Sequence, residues 1–499
     1  MNKVQSVCPD CGRPIPAVYV RRGDAVYLEK SCPEHGASCV LASEDAEAFE
    51  RWIAFPSLTV PPRVFVTKGA HGVFGESDGI IFNTECPLHC GVCENHLMTA
   101  CCVLLNVTDR CNQRCPYCFA EAGEAGDAAD SDPALEVIER WLDRLIELGE
   151  ERKFNIQLSG GEPTVRDDLP EIIRMCKEKG FEYIQLNTNG RRLAEDADYT
   201  KALKSAGLST VFLQFDGVSD DVYLALRGEP LLEIKKAAVK NCGAAGLPVT
   251  LVPTVLKNVN LAQVGAIIGF MLKNISIVKG VHFQPASFFG RRPDERNAGG
   301  DFDERVTMFA VMDEIEKQAG GRIKRTDLAP ISTGHPLCCF CAAFLKERSG
   351  VLQPLSSGGS CCGPGEGAQG DSDCRVSGED IPGGGSCCGP AIDPLEIIRR
   401  DRDFVLNKWD ICVPDDAAEG GTDSRTEAYE NDTCCGGEAM SFDEAIAMFR
   451  NNMFTISGMA FMDETNLDAE RLRRCRVQVF TQDERLVPFC GYYTYHSGK

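Results

Sequence analysis

A chain of 499 residues, 43% of them apolar, is too long for one small core, and it contains no run of the roughly 18 apolar residues that crosses a bilayer. Its formal net charge of −22 argues against nucleic acid as a partner, because affinity for a phosphate backbone rests on clustered Lys and Arg. Its 27 cysteines point to metal and redox chemistry rather than to a disulfide framework.

The first residues carry no basic segment followed by an apolar core, so a cytoplasmic protein is expected. Residues 1–60 open with Cys8-Pro-Asp-Cys11-Gly, then alternate through Ala17–Val20 and Ala25–Leu28 around Gly23-Asp24, which predicts a small hairpin with cysteines at one end. Cys32-Pro-Glu-His35-Gly returns a second knuckle. Cys8, Cys11 and Cys32, with His35 or Cys39 as a fourth ligand, resemble a rubredoxin-like or zinc-ribbon site for zinc or a single iron, serving as a structural clip or in electron transfer. Residues 61–100 form a Cys-rich linker in which Cys86, Cys90 and Cys93 are candidate ligands of an auxiliary 4Fe-4S cluster, with Cys101 and Cys102 nearby.

From Val103 a strand and helix pattern repeats to about residue 330. Strands are predicted at Val103–Val107, Asn155–Leu158, Tyr183–Asn187, Thr210–Phe215, Val249–Thr254 and Gly280–Gln284, with helices between them. The stretch Leu135–Leu148, for example, places Leu135, Ile138, Leu142 and Leu145 on one helical face. The fold class is α/β, a partial (β/α)6 TIM-like barrel over 101–330, whose chemistry belongs in the loops after the strands' C-terminal ends. Residues 353–440 repeat Ser-Cys-Cys-Gly-Pro and hold too few apolar residues for a core. They read as an insertion, either a thiol-bearing loop or a binder of a soft metal. Around it, 331–352 and 441–499 supply Cys338, Cys339, Cys341, Cys475 and Cys490 as candidate ligands of a further cluster. Cys176 and Cys242 lie in helical patterns as core thiols.

The motif richest in chemistry is Cys111-Asn-Gln-Arg-Cys115-Pro-Tyr-Cys118, directly after a predicted strand. Three thiolates on a four-iron cluster leave one iron free for an outside ligand. Ser159-Gly160-Gly161-Glu162-Pro163-Thr164 follows the second strand, Asn187-Thr188-Asn189-Gly190 the third, and Gln214-Phe-Asp216-Gly217 the fourth. Taken in this order, the motifs resemble the radical S-adenosylmethionine (SAM) superfamily. That resemblance implies that Cys111, Cys115 and Cys118 hold a 4Fe-4S cluster that cleaves SAM to a 5'-deoxyadenosyl radical. It also implies that Ser159, Gly160, Gly161, Glu162, Asn187, Asn189, Gln214 and Asp216 surround SAM, with Glu162 accepting from its ammonium. Asp216 has the alternative of capping the next helix, and Thr254 is a weaker candidate. Tyr117, His96 and His335 are candidates for proton transfer or for packing.

The Cys-Pro-x-Cys and Cys-Pro-Glu-His-Gly knuckles, the Cys86/Cys90/Cys93 group, His335-Pro-Leu-Cys338, Arg474-Cys475 and Pro488-Phe489-Cys490 are similar to a narrower group, the tetraether lipid synthases and their pterin-methylating relatives. This implies one or two auxiliary 4Fe-4S clusters, a rubredoxin-like site, and reduced ferredoxin or flavodoxin as electron donor. The expected reaction is carbon-carbon bond formation on lipid chains, with peripheral membrane contact, ahead of radical methylation of a pterin-like small molecule. The insertion and the extra Cys339 and Cys341 depart from the pattern. A compact polar pocket with stacking aromatics favours the pterin, and a deep apolar channel favours the lipid. A reading from another class, an iron-sulfur electron carrier or metal handler without SAM, leaves Gly160-Gly161-Glu162-Pro163 unexplained.

Overall fold

The computed structural model describes residues 3–63, 74–77, 80–83, 91, 93, 95–123, 132–149, 153–293, 305–355 and 450–495. Cys86, Cys90 and nearly all of the expected insertion, from residue 356 onward, lie outside the described residues.

At the N-terminus, β1 (Lys3–Val7), β2 (Pro14–Arg22), β3 (Ala25–Cys32) and β4 (Gly36–Ser43) form an antiparallel meander. The predicted hairpin is β2–β3, turning at Gly23 with φ of +63°. Its period-two pattern buries Ile15, Ala17 and Tyr19 on one strand and Val26 and Leu28 on the next. Helix α1 (Ala46–Ile53) starts at Asp45, whose side chain accepts from Ala48 N, and packs Phe49 and Trp52 against Phe309. A two-stranded hairpin, β5 (Phe74–Ser77) and β6 (Ile80–Asn83), follows.

The central layer is built from alternating units: β7 (Cys102–Thr108), α2 (Leu135–Gly149), β8 (Asn155–Gly160), α3 (Leu169–Glu178), β9 (Ile184–Thr188), α4 (Arg191–Glu195), α5 (Ala197–Ala206), β10 (Thr210–Gln214), α6 (Asp220–Arg227), α7 (Leu232–Ala244), β11 (Val249–Val252), β12 (Thr254–Val255), α8 (Val264–Lys273), β13 (Val278–Pro285) and α9 (Met308–Gln318). Strands β7, β8, β9, β10, β11 and β13 lie side by side, all parallel, as the six predicted strands. Helix α6 and two further parallel strands were not anticipated. The chain continues through β14 (Ala329–Pro330), β15 (Cys339–Lys346), β16 (Leu352–Leu355), β17 (Met453–Met459), α10 (Ala469–Arg473), β18 (Val477–Phe480), β19 (Leu486–Pro488) and α11 (Phe489–Tyr495). Strand β17 pairs parallel with β13 and β18 parallel with β7, so the parallel run is eight strands wide. Antiparallel β15 and β19 cover its two edges, which do not pair with each other among the described residues, so the barrel is partial.

The N-terminal sheet is fastened to the segment before α10. Ser6 Oγ donates to Leu467 O at 2.6 Å, Lys30 Nζ to Glu464 O at 2.8 Å, and Tyr19 Oη to Asp468 Oδ2 at 2.9 Å. Among the described residues no helix is long and apolar enough to cross a membrane.

Candidate active site and metal centres

The loop after β7 carries Cys111, Cys115 and Cys118, all half-buried. Burial pushes the Cys111 thiol up to about 12, and raises that of Cys115 against the pull of Arg227. The cost of these thiols falls on their charged form, which a bound cation would relieve. Two arginines staple the loop. Arg227, at the end of α6, donates to Tyr117 O at 3.1 Å, and Arg291, after β13, donates to Cys115 O at 3.2 Å and Ala122 O at 2.7 Å. Cys118 and Arg291 also bridge backbone to backbone. Phe119 stands edge-on to Tyr493 of α11, with ring centroids 4.8 Å apart.

The glycines of the Ser159–Thr164 segment are required by this loop. A Cβ on Gly160, at φ +121°, would sit 2.1 Å from Thr108 O, and one on Gly161 would sit 2.2 Å from Arg110 O. The close approach expected of these glycines is thus made to the chain that leads into Cys111, where Gly161 N donates to Thr108 O and Glu162 N to Arg110 O. Glu162, 1% exposed, accepts through Oε1 from Thr164 N, Thr164 Oγ1 and Thr188 Oγ1, and through Oε2 from Asn189 N at 2.6 Å. Oε2 keeps capacity for one more donor, whereas Oε1 is filled. Asn189 Nδ2 reaches Asn112 Oδ1 at 2.7 Å, joining the end of β9 to the cysteine loop.

Asp216 is neither a helix cap nor an open ligand. Its carboxylate accepts from Arg227 Nε and Nη2 at 2.8 and 2.9 Å, from Thr254 N, and from Gln214 Nε2, with no solvent exposure, and Ser219 occupies the N-cap of α6. Thr254 Oγ1 accepts from Arg227, which absorbs that candidate into the same network. Lys235 of α7 is fully buried and donates to Asn189 O at 2.5 Å and Gln214 Oε1 at 2.9 Å, with burial drawing its pKa down to about 7.

Along the barrel strands one parity, including Leu158, Leu186, Val211 and Val281, is fully buried in the main core. The other parity faces the lumen. One layer in register reads Asn106, Ser159, Asn187, Phe212, Thr250, Gly280 and Thr455. The next layer toward the strands' C-terminal ends holds Gln214, Val252, His282 and Ser457. Barrels of this kind are commonly filled by branched apolar side chains; here the lumen is mostly polar. Asn187 Nδ2 lies 3.4 Å from Ser159 Oγ, His282 Nδ1 2.9 Å from Ser457 Oγ, and the Phe212 and His282 rings are 6.0 Å apart. Burial lowers the His282 pKa to about 4, so its ring is neutral at physiological pH. Thr250 Oγ1 is buried with no partner among the described residues.

Cys8, Cys11, Cys32 and His35 bring one ligand atom each within 4.8 Å of one another, the one such group among the described residues. Of the two candidates for the fourth position the structure supplies His35. Cys39 is exposed on β4. Hydrogen bonds from the Glu34 backbone, then from His35, hold the Cys32 thiol down at about 6, and three sulfurs with one imidazole suit a tetrahedral ion. Cys111, Cys115 and Cys118 do not all lie within this distance of one another.

Cys338, Cys475 and Cys490, distant in sequence, come close enough to repel one another as thiolates, beside the buried Arg471 whose Nε is 3.4 Å from Cys338 Sγ. Cys93 is half-buried, near His96, whose N donates to Cys93 O. His96 and His335 are buried, their pKa values lowered to about 4 and about 3, chiefly by burial. Cys176 and Cys242 are core thiols. Sequence reasoning missed Gln113, Arg227, Lys235, His282 and Arg291.

A family model described as the radical SAM superfamily matches residues 105–271, and one described as the HMPTM N-terminal zinc ribbon domain matches residues 1–44. The chain is 33% identical, over 99% of its length and 94% of the relative's, to 7,8-dihydro-6-hydroxymethylpterin dimethyltransferase of Methanocaldococcus jannaschii. It is 30% identical to GTP 3',8-cyclase of Peptoclostridium acidaminophilum over 36% of this chain and 54% of that one. The solved structure of Streptococcus suis SuiB bound to S-adenosylmethionine overlaps with a TM-score of 0.35 at 15% identity, over 45% of this chain and 47% of that one. With its cofactors a 4Fe-4S cluster and SAM, and a further metal site at its N-terminus, the chain is an enzyme that belongs to the radical SAM superfamily and to the family of the M. jannaschii enzyme.

Proposed function

We propose that this enzyme methylates a reduced pterin or a closely similar bicyclic small molecule. The observation that carries the reading is the similarity along the whole chain, zinc ribbon included, to an enzyme named for that reaction. The lumen supports it: amides, hydroxyls and the neutral His282 beside Phe212 offer hydrogen bonds and a ring face to a flat heterocycle. An acyl chain in the same lumen would strip water from these polar groups and give them nothing in return. Lipid coupling, placed first by the sequence, therefore falls behind methylation.

In this reading Cys111, Cys115 and Cys118 hold the cluster, and Ser159, Gly160, Gly161, Glu162, Asn187, Asn189 and Gln214 border SAM. When bound, the cluster and SAM supply a 5'-deoxyadenosyl radical able to abstract hydrogen from an unactivated carbon. The chain's own residues do the rest. Arg227 and Arg291 fix the cysteine loop, Glu162 ties the ends of β8 and β9, and Lys235 orients Gln214. Cys338, Cys475 and Cys490 hold an auxiliary cluster, and a reduced ferredoxin or flavodoxin supplies electrons.

The test is anaerobic turnover with SAM, reductant and 7,8-dihydro-6-hydroxymethylpterin, read by mass spectrometry. The expected result is product heavier by one or two methyl groups. Unchanged pterin from enzyme that couples diether lipid under the same conditions would overturn the reading.

A further inference from the structure

Arginine presents five N–H donors in one plane. In Arg227 four are committed to oxygen: two to Asp216 at 2.8 and 2.9 Å, one to Thr254 Oγ1 at 3.0 Å and one to Tyr117 O at 3.1 Å. The guanidinium, 9% exposed, is also near enough to Cys115 for its charge to favour the thiolate. Four of its five donors are thus held by the protein's own oxygens.

Gln113 approaches the same sulfur. It is 5% exposed, its Oε1 lies 3.6 Å from Cys115 Sγ, and its Nε2 is buried with no partner among the described residues. A thiol donates, so the amide shows it oxygen. An iron-bound thiolate only accepts, and an end-over-end turn of the amide would bring the orphaned N–H onto the sulfur and satisfy it.

We propose that Arg227 and Gln113 form a donor cradle for the Cys115 sulfur that raises the reduction potential of the cluster held there. The inference rests on Cys115 being a cluster ligand. N–H···S bonds and a nearby positive charge withdraw electron density from the sulfur and favour the cluster's more negative, reduced form. The step is a one-electron reduction of the oxidised cluster, the electron coming from an external low-potential reductant, with no bond made and no proton transferred at the sulfur.

The test is a potentiometric titration with titanium(III) citrate, followed by electron paramagnetic resonance, on anaerobically reconstituted full-length protein. The signal followed is the one that changes on adding SAM. Gln113→Leu removes a donor without adding charge; Arg227→Met removes the charge as well. Gln113→Leu is expected to keep its iron, and each variant that holds its cluster to be reduced at least tenfold less at a given potential, a midpoint at least 59 mV lower. An unchanged or higher midpoint in Gln113→Leu at full iron load overturns the cradle, whatever Arg227→Met does to folding through the unpaired Asp216. Cys115→Ala separates the two ideas. Loss of the SAM-responsive signal there, with an unchanged Gln113→Leu midpoint, overturns the cradle alone, whereas a retained signal overturns the ligand reading on which it rests.

Discussion

At the residue scale the site holds its buried charges by pairing them and surrounding them with hydrogen bonds. Asp216 and Arg227 are both nearly inaccessible, and each is held by several partners from different elements, the condition under which a buried ion pair is tolerable. His282, half-buried, is accommodated by a different route, as a neutral ring. Its pKa falls from 6.5 to about 4, so the unfolded chain binds the proton more readily. The stability this group contributes is present above pH 6.5 and is lost as the pH falls toward 4. Between pH 7 and pH 5 the loss is about 2 kcal/mol. Denaturant titrations should show a loss over this range larger by about 2 kcal/mol in the wild type than in His282→Gln, the contributions of His96 and His335 being common to both. Equal losses would mean that His282 titrates normally.

The same scale marks the limit of what sequence reveals. Cys111, Cys115, Cys118 and Gly160-Gly161-Glu162 are legible because their spacing and order are unusual. Arg227 and Lys235 are not, since a cation in a helical pattern reads as part of a solvated face until tertiary structure turns it inward. Gln113 and His282 carry no local pattern at all.

At the element scale the strand-loop junctions set the site. The segment after β8 presses so closely on the end of β7 that Gly161 lies against backbone, which cannot move aside as a side chain can. Gly161→Ala is expected to cost roughly 1–3 kcal/mol through overpacking, and to displace the loop carrying Cys111, lowering both melting temperature and iron content. Gly269→Ala, in α8 with nothing within 4 Å, is the control, and should be neutral or stabilising. Equal behaviour of the two would remove the argument. Six parallel strands were readable because each is a short apolar run followed by a helical period. Strands β17 and β18 were not, because they join the barrel at β13 and β7 from far along the chain, and no local signal encodes that register. Helix α6, only eight residues long, was lost in the turn-rich stretch after Gln214.

At the scale of the whole molecule, cysteine-bearing parts from both ends of the chain converge on one barrel. The zinc-ribbon sheet reaches Glu464, Leu467 and Asp468 through Lys30, Ser6 and Tyr19. A few residues on, Arg471 meets Cys338, and α11 carries Cys490 together with Tyr493, which packs on Phe119 next to Cys118. The motifs around Cys338, Cys475 and Cys490 already grouped these three by resemblance, whereas their shared neighbour Arg471 needed the fold.

The central claim is that the loop of Cys111, Cys115 and Cys118 makes this chain a SAM-cleaving enzyme. Its most direct test is 5'-deoxyadenosine formation by anaerobically reconstituted protein given SAM and a strong reductant. The account predicts formation by the wild type and its loss in Cys111→Ala, Cys115→Ala and Cys118→Ala alike. Absence of 5'-deoxyadenosine from wild-type protein with a full iron load, or undiminished formation by any of the three variants, would contradict it.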